Sequence, residues 1–371
     1  MIRFKEFSND ETKLIKLKDS CSFFSGGTPS SSNKDYYTGN IPFIRSGEIH
    51  KNDTELRINE IALSNSSAKM VSKGDLLLAL YGATSGEIDI SQINGAINQA
   101  ILCIRPNDKI NKYYLKYKLE KEKDNILKTY LQGGQGNLSA EIIKNLSYKF
   151  PSINEQTKVS NFLSLLDKKI ELQTKKIEDL KLFKKGLIHK MMKNSDNWKE
   201  YKVSEIFKIT RGVVIPKSDL SDIIDSNYKY PVYSSQTSND GILGYDDKYD
   251  FDGKYLTWTT DGANAGKVFY RNGKFRCTNV CGVLYNDSNS YVDELTSELL
   301  NYETPKHVSY VGNPKLMNNV MGNIKVFLPD KSESNNVSDL LLKINNKILL
   351  ENNRLDKLIV LKKGLMQNMF V

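Results

Sequence analysis

Cysteine is scarce: four in 371 residues, at Cys21, Cys103, Cys277 and Cys281. Four scattered thiols exclude a disulfide framework. Cys277 and Cys281 lie four apart, but no second Cys or His pair stands near to complete a zinc site, so they read as small buried residues. Only three histidines are present, His50, His189 and His307, with no helical metal motif, which leaves histidine chemistry poorly supplied. With 9 Pro and 23 Gly the chain is neither collagenous nor a low-complexity linker. No apolar run approaches the roughly 18 residues of a membrane helix; the longest strong one is Leu76 to Leu80. The opening Met1-Ile2-Arg3-Phe4-Lys5-Glu6 lacks a secretion core, so the expected location is the cytoplasm, with no membrane partner.

The length suggests two domains with something extended between them. Aromatics make up 10%, including 20 Tyr, which excludes wholesale disorder. The net charge of +9 favours a polyanionic partner. That charge is uneven: residues 151–193 carry +5, whereas residues 194–329 carry −2 and include the acidic cluster Asp246, Asp247, Asp250 and Asp252. Any DNA contact in that second half needs a local patch away from the cluster.

An internal repeat sets the architecture. Phe150 to Met192 aligns without a gap with Leu328 to Phe370 at an offset of 178. Lys184-Lys185-Gly186-Leu187 recurs as Lys362-Lys363-Gly364-Leu365. Each copy opens with a capping-box pattern after a proline, Ser152-x-x-Glu155 and Asp330-x-x-Glu333. Apolar residues then recur in steps of four and three, as in a coiled-coil seam: Val159, Leu163, Leu166, Ile170, Ile177 and Leu180, matched by Val337, Leu341, Ile344, Ile348, Leu355 and Leu358. The polar breaks correspond too, Gln173 with Glu351 and Lys184 with Lys362. Each helix should span roughly 60 Å. The regions before them repeat more weakly. Ser25-Gly26 lines up with Arg211-Gly212, and Gly133 to Leu138 with Val311 to Leu316. Short apolar runs between Gly, Asn and Ser turns read as strands. The expected segments are a globule at 1–150, a helix at 151–193, a globule at 194–329 and a helix at 330–371.

Catalytic machinery is absent from the pattern. There is no glycine-rich cofactor turn and no Walker loop. Glu48, Asp53 and Glu87 form no recognisable nuclease set, and Asn313-Pro314-Lys315-Leu316 reads as a turn. The expectation is no catalytic residue, metal or cofactor in this chain. Polar loops suit recognition instead, since Arg pairs with guanine and Asn or Gln with adenine in the major groove, while Lys and Arg hold phosphates. On that chemistry the candidate DNA contacts in the first globule are Lys34, Arg45, Ser46, Lys73, Gln135 and Asn137. Those in the second are Arg211, Lys217, Gln236, Arg271, Asn313 and Lys315.

The layout resembles, over almost the whole chain, the specificity subunit of type I DNA restriction–modification enzymes. The residues that carry the resemblance are the lead-in Ile2 to Phe7, Trp198 to Val203 with Arg211-Gly212, and the helix opening Pro151 to Gln156 that ends in Lys-Lys-Gly-Leu. Gln156 is replaced by Ser334 in the second copy, so the two helix starts need not make the same contacts. The resemblance implies an α+β fold: two strand-rich target-recognition domains, each followed by a long helix, with the helices packed as an antiparallel coiled coil under pseudo-two-fold symmetry. It implies a non-catalytic subunit that reads a bipartite site in double-stranded DNA. Two methyltransferase subunits would bring S-adenosylmethionine, and two restriction motor-nuclease subunits would bring ATP and Mg2+ chemistry. Two rival readings stay open: a DNA-recognition subunit or fragment of another modification system, and a coiled-coil adaptor that binds protein.

Overall fold

The protein is described by a computed structural model covering residues 3–130, 137–193 and 197–370. It is an α+β chain of two compact units, Met1–Thr174 with Arg354–Val371, and Lys175–Asn353. The first long helix runs Ile153–Lys193 and the second Lys331–Met369, so each passes from one unit into the other.

In the first unit, a four-stranded antiparallel sheet has the order Cys21–Ser25, Ile101–Pro106, Leu76–Ala79, Ile88–Ile90. The apolar run Leu76 to Leu80 is continuous because this strand is covered on both faces. Leu76, Leu78 and Leu80 enter the core beside the helices, whereas Leu77 and Ala79 enter a second core with Ile44, Ile49 and Ile97. A second sheet orders Arg57–Ile58, Ile41–Ile44, Gly95–Ile97 and Lys69–Val71, with its two central strands parallel.

The second unit holds a six-stranded sheet, in the order Lys208–Arg211, Cys281–Tyr285, Phe251–Thr259, Val268–Cys277, Tyr230–Tyr233, Ile242–Asp246. Trp258 is fully buried at its centre. In both units a two-stranded antiparallel ribbon ties the start of the globule to the strand just before the long helix: Lys13–Lys16 with Ser147–Phe150, and Lys199–Lys202 with Lys325–Leu328.

The repeated glycines have a steric cause. A Cβ on Gly26 would sit 1.7 Å from the Ile97 carbonyl oxygen, and one on Gly212 would sit 1.9 Å from that of Cys277. Both backbones press against a neighbouring strand where only glycine fits.

All twelve predicted seam positions are buried or half-buried. In the first unit, Val159 and Leu163 share a core with Met366, Met369 and Phe370. In the second, Ile188 and Leu341 share a core, flanked by Met191 and Val337. Within each unit the paired helix segments therefore run antiparallel. Glu351, at one polar break, is wholly buried, with its carboxylate 2.9 Å from Lys176 Nζ and 3.1 Å from Lys347 Nζ.

The capping boxes form in part. Ser152 Oγ accepts the Glu155 N–H at 3.4 Å, and Asp330 accepts the N–H groups of Ser332 and Glu333 at 2.9 Å. Glu155 does not complete its box; it is 1% exposed and takes a bidentate ion pair from Arg3 instead.

Candidate nucleic-acid interface

The surface built from the candidate residues is uneven. In the first unit Lys34, Lys73 and Asn137 are exposed. Ser46 is half-buried at the start of the short turn Ser46–Glu48. Arg45 is held by Glu48 at 3.0 Å and by Glu55, hydrogen bonds that raise its pKa and neutralise its charge locally. Gln135 lies outside the described residues.

In the second unit Lys217, Asn313 and Lys315 are exposed, and Lys315 Nζ lies 3.8 Å from Asp261. Arg211 is half-buried; its Nε donates to Asn318 Oδ1 at 2.8 Å, which ties the strand end to the segment after Lys315. Gln236 donates to the Ile242 carbonyl.

Arg271 corrects its expectation. It is 4% exposed, its guanidinium donates to the Asp240 carboxylate at 2.6 Å and carbonyl at 2.7 Å, and it stacks 3.7 Å from the Tyr233 ring centroid. Every face of that group is committed to holding the Asp240 loop against the sheet, so it is not presented to a base.

The acidic cluster is partly neutralised. Arg276 donates to Asp246 at 2.6 Å and to Asp250 at 3.0 Å, and Lys274 approaches Asp252 at 4.0 Å. In the first unit, Asp89 sits between His50 at 2.8 Å and Lys116 at 2.8 Å. Burial works against the Asp89 charge, but His50 and Lys116 outweigh it and hold the carboxyl down to about 2; the same hydrogen bond raises the His50 pKa. Among the described residues no group of three or more His, Cys, Asp or Glu is placed to hold a metal ion, and no helix is long and apolar enough to cross a membrane.

Two families of contacts escaped the sequence reading. Gln156, 1% exposed, accepts the Asn111 N–H at 2.9 Å and donates to the carbonyls of Lys109 and Pro151. Asn111 in turn caps the helix Lys112–Tyr130. Ser334 replaces Gln156, yet it donates to Asp293 at 2.8 Å, the cap of the helix Glu294–Glu303. Different chemistry thus joins each long helix to the start of its own unit's helix. Glu120 and Glu298 were also missed. The offset of 178 relates them, and each grips the repeated lysine of its unit, Lys362 at 2.9 Å and Lys184 at 2.5 Å. Between Leu115–Lys123 and Asp293–Asn301 only these two residues coincide at that offset, too thin a signal for sequence to single them out.

Residues 9–182 and 195–359 each match the family described as type I restriction modification DNA specificity domain. The chain belongs to this family. The specificity subunit of the type I restriction enzyme MpnII from Mycoplasma pneumoniae is 41% identical over 142 residues, 38% of this chain and 42% of that one. The specificity subunit of the type I restriction enzyme MjaVIII from Methanocaldococcus jannaschii is 25% identical over 234 residues, 62% of this chain and 53% of that one. In fold, the chain is similar to the crystal structure of a type I restriction-modification system S subunit from M. genitalium, with a TM-score of 0.73 at 17% identity over 99% of this chain and 98% of the other. Each match takes in one strand-rich globule and most of the long helix that follows it.

Proposed function

We propose that this chain is the DNA sequence-specificity subunit of a type I restriction–modification complex, each unit reading one half of a bipartite site in double-stranded DNA. The observation that carries this reading is the duplication: two specificity-domain matches, each a strand-rich globule joined to a long helix, with the repeated lysine gripping the matching glutamate in both units. In this proposal the chain supplies specificity and assembly and performs no chemistry. S-adenosylmethionine, ATP and Mg2+ belong to two methyltransferase and two motor-nuclease subunits, the complex works in the cytoplasm, and the long helices act as the spacer between half-sites.

The helix surfaces support the assembly role. Away from the seam, Phe162, Leu172, Leu182 and Phe183 are 41–68% exposed, and their repeat partners Leu340, Leu350, Val360 and Leu361 are 43–71% exposed. Apolar side chains exposed at matching positions of the two helices suit two copies of one partner. The test is methylation mapping of DNA from cells that carry this chain with its methyltransferase subunit. A split adenine-methylated motif, absent when the chain is deleted, is expected. Methylation of the same motif without the chain overturns the reading.

A further inference from the structure

The segment after the helix Glu294–Glu303 in the second unit makes a small hairpin with an unusual tip. Ser309 and Lys315 exchange both backbone hydrogen bonds, each 2.9 Å long, and enclose Tyr310-Val311-Gly312-Asn313-Pro314. The base of the hairpin is stitched to the central sheet. Gly262 N–H donates to the Pro314 carbonyl at 2.9 Å, Leu316 N–H to Thr260 at 2.9 Å, and the Trp258 indole to the Leu316 carbonyl at 3.1 Å. Trp258 and Leu316 are both fully buried, so the tip stands on the core of the unit.

What this anchored tip presents is a valine. Val311 is 92% exposed, the most exposed large apolar side chain among the described residues, beside Tyr310 at 69%. Gly312, at φ +76°, makes the reversal that other residues resist. Asn313 is exposed on the far side of the turn, followed by Lys315. A single exposed apolar residue needs no explanation. An apolar residue held at the apex of a rigid turn, with an amide and an ammonium at its flank, forms a chemically specific set.

Duplex DNA is the surface that set fits. The major groove admits a two-stranded β-ribbon, a thymine offers it a C5-methyl group, and Asn pairs with adenine through N6 and N7. Lys315 carries positive charge toward the phosphates, tempered by Asp261. Resting on the specificity-subunit reading, we propose that the tip Tyr310–Pro314 is a base-reading element of the second unit for A·T pairs, with Val311 against a thymine methyl and Asn313 on adenine.

The test uses the chain assembled with its methyltransferase subunit. Val311→Ala and Asn313→Ala are compared with the unaltered chain by methylome sequencing and by methylation rates on matched oligonucleotides. Each variant should relax one A·T position of a single half-site, lowering discrimination there on the order of tenfold, while the other half stays unchanged. Buried Trp258 fluorescence checks that both variants are folded. Unchanged motif and discrimination in folded variants overturns the proposal. So does loss of the methyltransferase subunit without a change of motif, which makes the tip a subunit contact. An unaltered chain that directs no sequence-specific methylation sinks the DNA reading itself, a distinguishable failure.

Discussion

Lys362 Nζ lies 2.9 Å from Asp167 Oδ1 in the first unit, and the residues 178 positions away repeat the contact in the second, where Lys184 Nζ donates to Asn345 Oδ1 at 2.7 Å. Each lysine also grips the matching glutamate, Glu120 or Glu298. The lysine of the Lys-Lys-Gly-Leu repeat therefore fixes how the two helix segments of a unit align with the unit's own shorter helix. Burial lowers the pKa of Lys362, but Glu120 and Asp167 outweigh it and raise it overall. A polar group at such a position sets register at some cost in stability.

At this position the first copy has a carboxylate and the second an amide, and that difference is testable. Asp167→Asn leaves an acceptor for Lys362 and for the Tyr117 hydroxyl, which donates to Asp167 at 2.7 Å. It should cost under about 1 kcal/mol. Asn345→Asp instead sets a carboxylate against Glu294, which now accepts from the Asn345 amide. That change should cost about 2 kcal/mol at pH 8 and less at pH 6. Urea denaturation of both variants decides it, and equal costs would show that the Glu294 carboxylate does not set the two clusters apart.

The seam was legible because a period of alternating four and three residues, repeated at a fixed offset, has one structural meaning. Gly26 and Gly212 were legible as repeated residues but not as steric requirements, since the carbonyls that press on them belong to strands some 70 positions away in sequence. Arg271 was misread for a related reason. An arginine in a polar, aromatic-rich stretch looks like a base reader until its partners, Asp240 and Tyr233, fold around it. Gln156 was noted as a family residue, but its partner Asn111 lies across a tertiary contact that local pattern does not encode.

Arg271→Met should act on stability and leave specificity intact. Removing the guanidinium frees the Asp240 loop and leaves Thr257 Oγ1 without its donor at 3.3 Å. Because Asp240 is 68% exposed, water recovers part of the loss, and about 2 kcal/mol is expected. The methylated motif of the residual active enzyme should be unchanged. A changed motif in a variant of normal stability would return Arg271 to the DNA interface.

Gln156→Ala should loosen the first unit selectively. It strips the Asn111 N–H of its acceptor and the Lys109 and Pro151 carbonyls of their donor. About 2 kcal/mol is expected for this buried set. Amide hydrogen exchange should quicken around Asn111–Leu115 while the second unit, joined through Ser334 and Asp293, keeps its protection. Equal quickening in both units would mean that the effect travels through the long helices.

Glu294 gives the second unit a pH dependence of defined sign. Burial raises its pKa from 4.5 to about 7, with Lys184 opposing and Glu298 reinforcing the shift. Between those two values the native state keeps a proton that the unfolded chain has released, so stability falls as pH rises through the window. The penalty is absent below about 4.5 and complete above about 7. The shift corresponds to something on the order of 3 kcal/mol. Glu294→Gln keeps an acceptor for the Asn345 amide and removes the titration. The variant should match the unaltered chain at pH 5 and exceed its stability at pH 8. His50, whose raised pKa also costs stability as pH rises, is common to both proteins and cancels in the difference. Both tryptophans of the chain, Trp198 and Trp258, lie in the second unit, so their fluorescence follows the unfolding of that unit alone. A stability difference that does not change between pH 5 and pH 8 would show that Glu294 is ionised throughout.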